Sequence, residues 1–164
     1  MDDMTINSER TLCFLIKNNE ILLSRKLLRL GAGKYNGYGG GIESNETERH
    51  AAIRELKEES GFVALESDLE KRAVIDFYFP HEPHNNQRVH IYFLRRWTGK
   101  FVSDKEMGEP ELFSLKNIPY DQMWASDREW LPYLIDGKKI KAEFVWTKER
   151  KVDKRIIDIV KNFD

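Results

Sequence analysis

The stretch Gly40–Phe62, GGIESNETERHAAIRELKEESGF, decides how the rest of the chain is read. From Thr47 to Ser60 its patterning is helical, and Gly61 stands where a helix C′ stop belongs. On that helix Glu55, Glu58 and Glu59 fall at i, i+3 and i+4, so all three are expected to project from one face. Like charges at these spacings destabilise a helix by ~0.2–0.5 kcal/mol per pair. Glu58 and Glu59 also lie near the helix C-terminus, where the macrodipole disfavours anions by ~0.3–1 kcal/mol. A divalent cation would reverse that penalty, and carboxylate oxygens select hard ions, Mg²⁺ or Mn²⁺ first. Ala52, Ile53 and Leu56 lie on the opposite face, suited to packing on a sheet. Arg54 either reaches Glu58 at i+4 or bridges back to Glu46 in the preceding loop. A row of glutamates on a helix is most often a solvated face. What sets this one apart is the fixed frame of Gly40, Glu46, Arg54, Glu55, Leu56, Glu58, Glu59 and Gly61.

Upstream, Thr11–Lys17 is an apolar, β-branched and aromatic run broken by Asn18-Asn19, and Ile21-Leu22-Leu23 resumes it, so a hairpin is expected. Six of the ten glycines lie between Gly31 and Gly41, a density that suits a strand edge where the backbone approaches a ligand. Downstream, Arg72–Phe79 and Arg88–Trp97 alternate as strands, with Pro80, Pro83 and two asparagines between them. His81 and His84 in that connection read as a surface loop, because no further ligands stand at metal spacing. Asp76 and His90, on the strands, have no evident partner. Ser126-Asp127-Arg128-Glu129 has capping-box spacing before Trp130, Leu131, Leu134 and Ile135, so a second helix is expected to open there. Ile140–Trp146 reads as a strand, and Arg155–Val160 as its hairpin partner or a terminal helix.

The 164 residues suit one domain, 1–164, with no internal repeat or linker. The 27 basic and 28 acidic side chains give a net charge of −1, which offers no basic field for duplex nucleic acid or an anionic membrane. With 40% hydrophobic residues the chain is a folded protein. No apolar run approaches the ~18 residues of a membrane span, and MDDMTINSER lacks the basic start of a signal peptide. The single cysteine, Cys13, forms no internal disulfide, so a reducing, cytoplasmic location is expected.

The frame around the helix resembles the Nudix hydrolase family, whose box is G-x5-E-x7-R-E-U-x-E-E-x-G-U with U a bulky aliphatic. Every fixed position matches save Phe62 at the last U, an apolar exchange. The resemblance implies an α/β (α+β sandwich) fold, a mixed β-sheet between helices with the box as loop–helix–loop. It also implies an enzyme that cleaves a nucleoside diphosphate linked to a further group. By position Glu55, Glu58 and Glu59 would be metal ligands for Mg²⁺ (or Mn²⁺), with a backbone carbonyl near Gly39–Gly40 as a possible addition. Glu46 and Arg54 would be the structural pair of the box. Hydrolysis at phosphorus needs charge neutralisation, an in-line water and a group to deprotonate it. Glu59 is the first choice for that base and Glu106 the second, with Glu58 retained in the catalytic set.

Within the family, GAGKYNGYGG (31–40) and MWASDREWLPYLI (123–135) resemble segments of the animal-type oxidised purine nucleoside triphosphatases. The resemblance implies that Asn36 hydrogen-bonds the purine, Trp124 stacks on it, and Asp127 reads its edge. Ser126 stands where that subfamily has a further aspartate. Phe77, Met107 and Leu30 align with pocket residues, and Lys26 with a lysine that approaches the triphosphate. Bland readings accompany these: capping for Ser126 and Asp127, a turn for Asn36, and core for Trp124, Phe77 and Met107. Thr11 is too weak a candidate to carry. The resulting expectation is a monomeric, Mg²⁺-dependent pyrophosphohydrolase of purine nucleoside triphosphates such as 8-oxo-dGTP, giving monophosphate and pyrophosphate and sanitising the nucleotide pool. Its rivals are a Nudix enzyme for an RNA 5′ end, a dinucleoside polyphosphate or a nucleotide sugar, and a non-catalytic nucleotide sensor.

Overall fold

The computed structural model describes residues 4–102 and 105–164. The Asn18-Asn19 break is a tight turn with both residues at positive φ (54° and 61°), the geometry that suits a two-residue hairpin. It joins β1 (Ser8–Lys17) to β2 (Glu20–Arg25). After the two-residue strand β3 (Tyr35–Asn36) comes α1 (Glu48–Ser60). Thr47 caps α1, its hydroxyl accepting the His50 N–H at 3.1 Å, and Gly61 ends it at φ 81° with its N–H donated to the Lys57 carbonyl. Then follow β4 (Glu70–Tyr78), β5 (Gln87–Leu94), β6 (Glu111–Ser114), α2 (Asp127–Ile135), β7 (Lys139–Trp146) and β8 (Val152–Val160). The C-terminal segment is therefore the hairpin partner of β7, not a helix. β6 was not anticipated in its sequence, whose apolar residues are too few to mark a strand.

The sheet runs β3-β2-β1-β5-β4-β7-β8, with β6 also paired to β2. It is mixed: β1 with β5 and β4 with β7 are parallel, and the other pairs antiparallel. Alternation along β1 feeds two cores. Cys13 and Leu15 pack with Ala52 and Leu56 of α1, while Phe14 and Ile16 pack with Trp130, Leu131 and Leu134 of α2. The expected sheet between helices is thus what forms. Asp76 and His90 do find partners: Arg88 grips Asp76 at 2.7 and 2.9 Å, and His90 lies 2.9 Å from Glu9 and 3.1 Å from Glu48. No described helix is long and apolar enough to cross a membrane.

Candidate active site

The loop ahead of α1 is held by one guanidinium. Arg54 donates to both carboxylate oxygens of Glu46 (Nε 3.0 Å, Nη2 2.5 Å), to the Gly41 carbonyl (3.0 Å) and to Glu55 (2.9 Å). It is also 3.3 Å from Glu58, so the two expected partners of Arg54 are both engaged. The Arg54 hydrogen bonds hold the Glu46 carboxyl down to about 2.

The three glutamates of the box are not equivalent. Glu59 is buried and accepts the Gly39 N–H at 2.8 Å. Burial, reinforced by the charges of Glu55 and Glu106, pushes its carboxyl up to about 8. Glu55 is also raised, chiefly by burial. Its carboxylate fills the place of a side chain at Gly40, where an added Cβ would lie 2.4 Å from the Glu55 carboxyl carbon. Glu58, by contrast, is 57% exposed and turned to Arg54. The expectation that all three share one face is thus met in spacing but not in orientation. Among the described residues no three acidic, histidine or cysteine side chains already converge as a metal cage. Yet Glu55 and Glu59 are two carboxylates crowded where ionisation is disfavoured, the condition a divalent cation relieves. The donor set fits such an ion.

Glu59 lines a cavity of about 430 Å³. All eight side chains expected to bind substrate line it: Lys26, Leu30, Asn36, Phe77, Met107, Trp124, Ser126 and Asp127. Glu106 does not, although it is close enough to influence Glu59 and Lys26 and pairs with Arg29 at 3.1 Å. The Asn36 side-chain oxygen accepts the Gly37 N–H at 2.9 Å, which leaves its amide N–H groups to face a ligand.

The capping reading of Ser126 fails. Its backbone is already helical (φ −78°, ψ −20°), and its hydroxyl makes no cap hydrogen bond. An N-cap needs extended backbone to swing the side chain over the helix end. Ser126 Oγ and Asp127 Oδ2 are instead buried without a hydrogen-bond partner, as are Thr11 Oγ1, Trp130 Nε1 and Trp146 Nε1. Six such atoms occur among the described residues, and five belong to residues lining this cavity. Burial pushes Asp127 up to about 7, against the lowering influence of the Trp124 backbone, Lys34 and Trp130.

Sequence reasoning missed Arg10, Phe79 and Trp146 and set Thr11 aside; all four line the cavity. Phe79 and Trp146 stack at 5.9 Å and 12°, and Trp146 meets Trp124 edge-on at 5.3 Å. Only the parallel register of β4 with β7, Phe77 opposite Phe144, brings this wall together. No local signal carries that. His81 and His84 are exposed, as expected of a surface loop, and His84 also lines the cavity.

A glutamate-rich helix behind a glycine loop, its Glu59 lining a cavity walled in part by aromatic rings, suits a hydrolase of the class the box implies. The NUDIX domain profile matches residues 8–134, and the chain belongs to the NUDIX family. It is similar to the oxidized purine nucleoside triphosphate hydrolase of Danio rerio, 37% identical over 134 residues that cover 82% of this chain and 83% of that protein. The protein of the same name from Mus musculus is 35% identical over the same shares. In fold the chain resembles the MutT protein of Bacillus halodurans, with a TM-score of 0.79 at 17% identity, covering 92% of this chain and 97% of that one. The chain is a Nudix hydrolase, and such enzymes generally use divalent metal ions and act on small nucleotides.

Proposed function

We propose that this chain hydrolyses purine nucleoside triphosphates, oxidised ones such as 8-oxo-dGTP first, to the monophosphate and pyrophosphate, and so sanitises the nucleotide pool. The observation that carries the reading is the concentration of unpartnered buried polar atoms on residues of the cavity that Glu59 also lines. Buried polar groups are nearly always paired, and these would find partners on the edge of a base. Trp124 would stack on that base, with Asn36, Ser126 and Asp127 at its edge and Phe77, Met107 and Leu30 packed around it. The printed names of the two animal relatives point to the same substrates.

Glu55, Glu58 and Glu59, with a carbonyl near Gly40, would hold the metal, Mg²⁺ in this reading. When bound, the ion would neutralise charge on the phosphate oxygens. Glu58 would have to turn from Arg54 to join the set. Glu59 is the proposed base, taking a proton from the water whose oxygen bonds to phosphorus as the bridging P–O bond between the α and β phosphates breaks. Glu106 is the second choice. We take 1–164 as one domain, since β7 and β8 lie beyond the matched segment yet β7 supplies Trp146. A cytoplasmic monomer that binds neither duplex nucleic acid nor membrane is in keeping with the net charge of −1 and the buried, unpaired Cys13.

Product analysis on 8-oxo-dGTP, 2-hydroxy-dATP, the four dNTPs, a diadenosine polyphosphate, ADP-ribose and a triphosphorylated RNA tests this. Selective Mg²⁺-dependent conversion of an oxidised purine triphosphate is expected. Turnover confined to another substrate would discard the base assignments, and binding without turnover would leave a sensor.

A further inference from the structure

Arg10 is a half-buried arginine whose guanidinium has no hydrogen bond or ion pair among the described residues. It lies in the N-terminal half of β1, which is zipped to the glycine segment ahead of α1. Thr11 donates to the Gly40 carbonyl at 2.9 Å, and Ile42 to the Glu9 carbonyl at 3.0 Å. That pairing brings Arg10 opposite Gly41, so close that a methyl group on Gly41 would lie 3.9 Å from Arg10 Nη1. Arg10 is half-buried and lines the cavity together with Lys26 and Glu59. Its guanidinium makes no hydrogen bond or ion pair with any described residue. Every other described arginine has one, except Arg96, which is exposed.

The nearby acids feel the charge of Arg10, Glu55 among them, but none accepts a hydrogen bond from it. The Glu55 carboxylate is bonded to Arg54, and Glu59 accepts from Gly39. Lys26 lines the same cavity close enough to feel the charge of Arg10, its ammonium also without a hydrogen bond or ion pair among the described residues. Burial and the like charge of Arg10 lower the affinity of Lys26 for a proton, against the opposing pull of Glu59 and Glu106. Two cations thus line the cavity with Glu59, each within electrostatic reach of the site's glutamates yet hydrogen-bonded to none of them. A guanidinium offers five donors in a planar fork that matches the oxygens of a phosphate group.

We infer that Arg10 is a phosphate-binding residue, forming with Lys26 a cationic seat for the oligophosphate chain of a nucleotide beside the glutamates of α1. The inference rests on the nucleotide reading above and adds a phosphate contact that the box does not supply. It also gives the site a preference by charge: a ligand with several phosphates gains from the seat, and a nucleoside gains nothing.

The test compares wild type, R10Q and R10K in metal-free buffer, by calorimetric titration with 8-oxo-dGTP, the nucleoside 8-oxo-dG and inorganic tripolyphosphate. In R10Q, affinity for 8-oxo-dGTP and for tripolyphosphate should fall about tenfold or more, the loss expected for a charged hydrogen bond. Nucleoside affinity should stay within about twofold, and R10K should recover part of the loss by restoring charge without the fork. Equal binding of 8-oxo-dGTP by wild type and R10Q overturns the inference and leaves the proposed function intact. So does an equal loss of nucleoside binding, which would make Arg10 a packing residue. Arg10-dependent binding of tripolyphosphate without recognition of the purine would uphold the seat and remove the purine reading instead. Absence of tripolyphosphate binding by wild type, with nucleotide binding unchanged in R10Q, would remove the seat.

Discussion

Replacing Asp127 by asparagine should make the ligand-free protein more stable and less able to bind. Asp127 is 4% exposed at the start of α2, and its Oδ2 has no partner. Its carboxyl rises from 3.8 to about 7, chiefly through burial. An acid raised on folding holds its proton more tightly in the native state. Stability is therefore highest at low pH, begins to fall as pH passes the unfolded value near 4, and levels off above about 7. Each pH step across that window costs up to about 1.4 kcal/mol, so wild type should lose roughly 2–3 kcal/mol between pH 5 and pH 8 through this group alone. The asparagine side chain fills the same space and does not titrate. Thermal unfolding of both proteins at pH 5 and pH 8, metal-free, cancels every other titrating group in the difference. At about 2–4 °C per kcal/mol for a chain of this size, the variant should gain roughly 5–10 °C on wild type over the interval. A pH-independent difference would refute the reasoning, because it would mean that Asp127 ionises freely in the folded state. Substrate affinity should move the other way, through loss of the one titratable group among the unpartnered atoms of the cavity.

Glu59→Gln should lower turnover by ~10²–10⁴-fold if Glu59 is the base, with a modest change in nucleotide affinity; a loss under tenfold, read by single-turnover kinetics, would move the role to Glu106. Trp146→Phe keeps the stack on Phe79 but removes a buried N–H that has no partner. Free-protein stability should therefore hold within about 1 kcal/mol, while affinity for the purine falls; equal affinity would leave Trp146 as wall only. Arg54→Ala strips the hydrogen bonds from Glu46 and the Gly41 carbonyl and should cost ~1.5–3 kcal/mol in denaturant unfolding, with a larger proportional loss of metal affinity than of nucleoside affinity. Chelation followed by titration with Mg²⁺ and Mn²⁺ should abolish and restore turnover; activity that survives chelation would remove the metal assignment.

Much of the site was legible because its parts are local. Thr47, Gly61 and the glutamate spacing all act within one helix, where sequence separation and spatial separation agree. The eight pocket side chains came from resemblance and fell in one cavity, but the residues that complete the wall did not. Phe79 and Trp146 are 67 positions apart and meet only through a parallel pairing of β4 and β7 that neither strand encodes alone. Arg10 drew no reading from the sequence, since lacking a hydrogen-bond partner is a property of the folded surroundings. Ser126 misled in the opposite sense. Its spacing from Glu129 is that of a capping box, and only the folded backbone, already helical at Ser126, shows that the hydroxyl caps nothing.

The division of the core by the sheet has a consequence for how such a protein diversifies. The glutamate helix rests on one face, against Cys13 and Leu15, and the helix carrying Asp127 rests on the other, against Phe14 and Ile16. Phe77 and Trp130 of the cavity pack in the second of these cores, apart from Ala52 and Leu56 beneath the glutamates. Recognition can therefore drift across a lineage while the cleavage step is inherited unchanged, and a laboratory library confined to the α2 side should yield altered selectivity far more often than inactive protein.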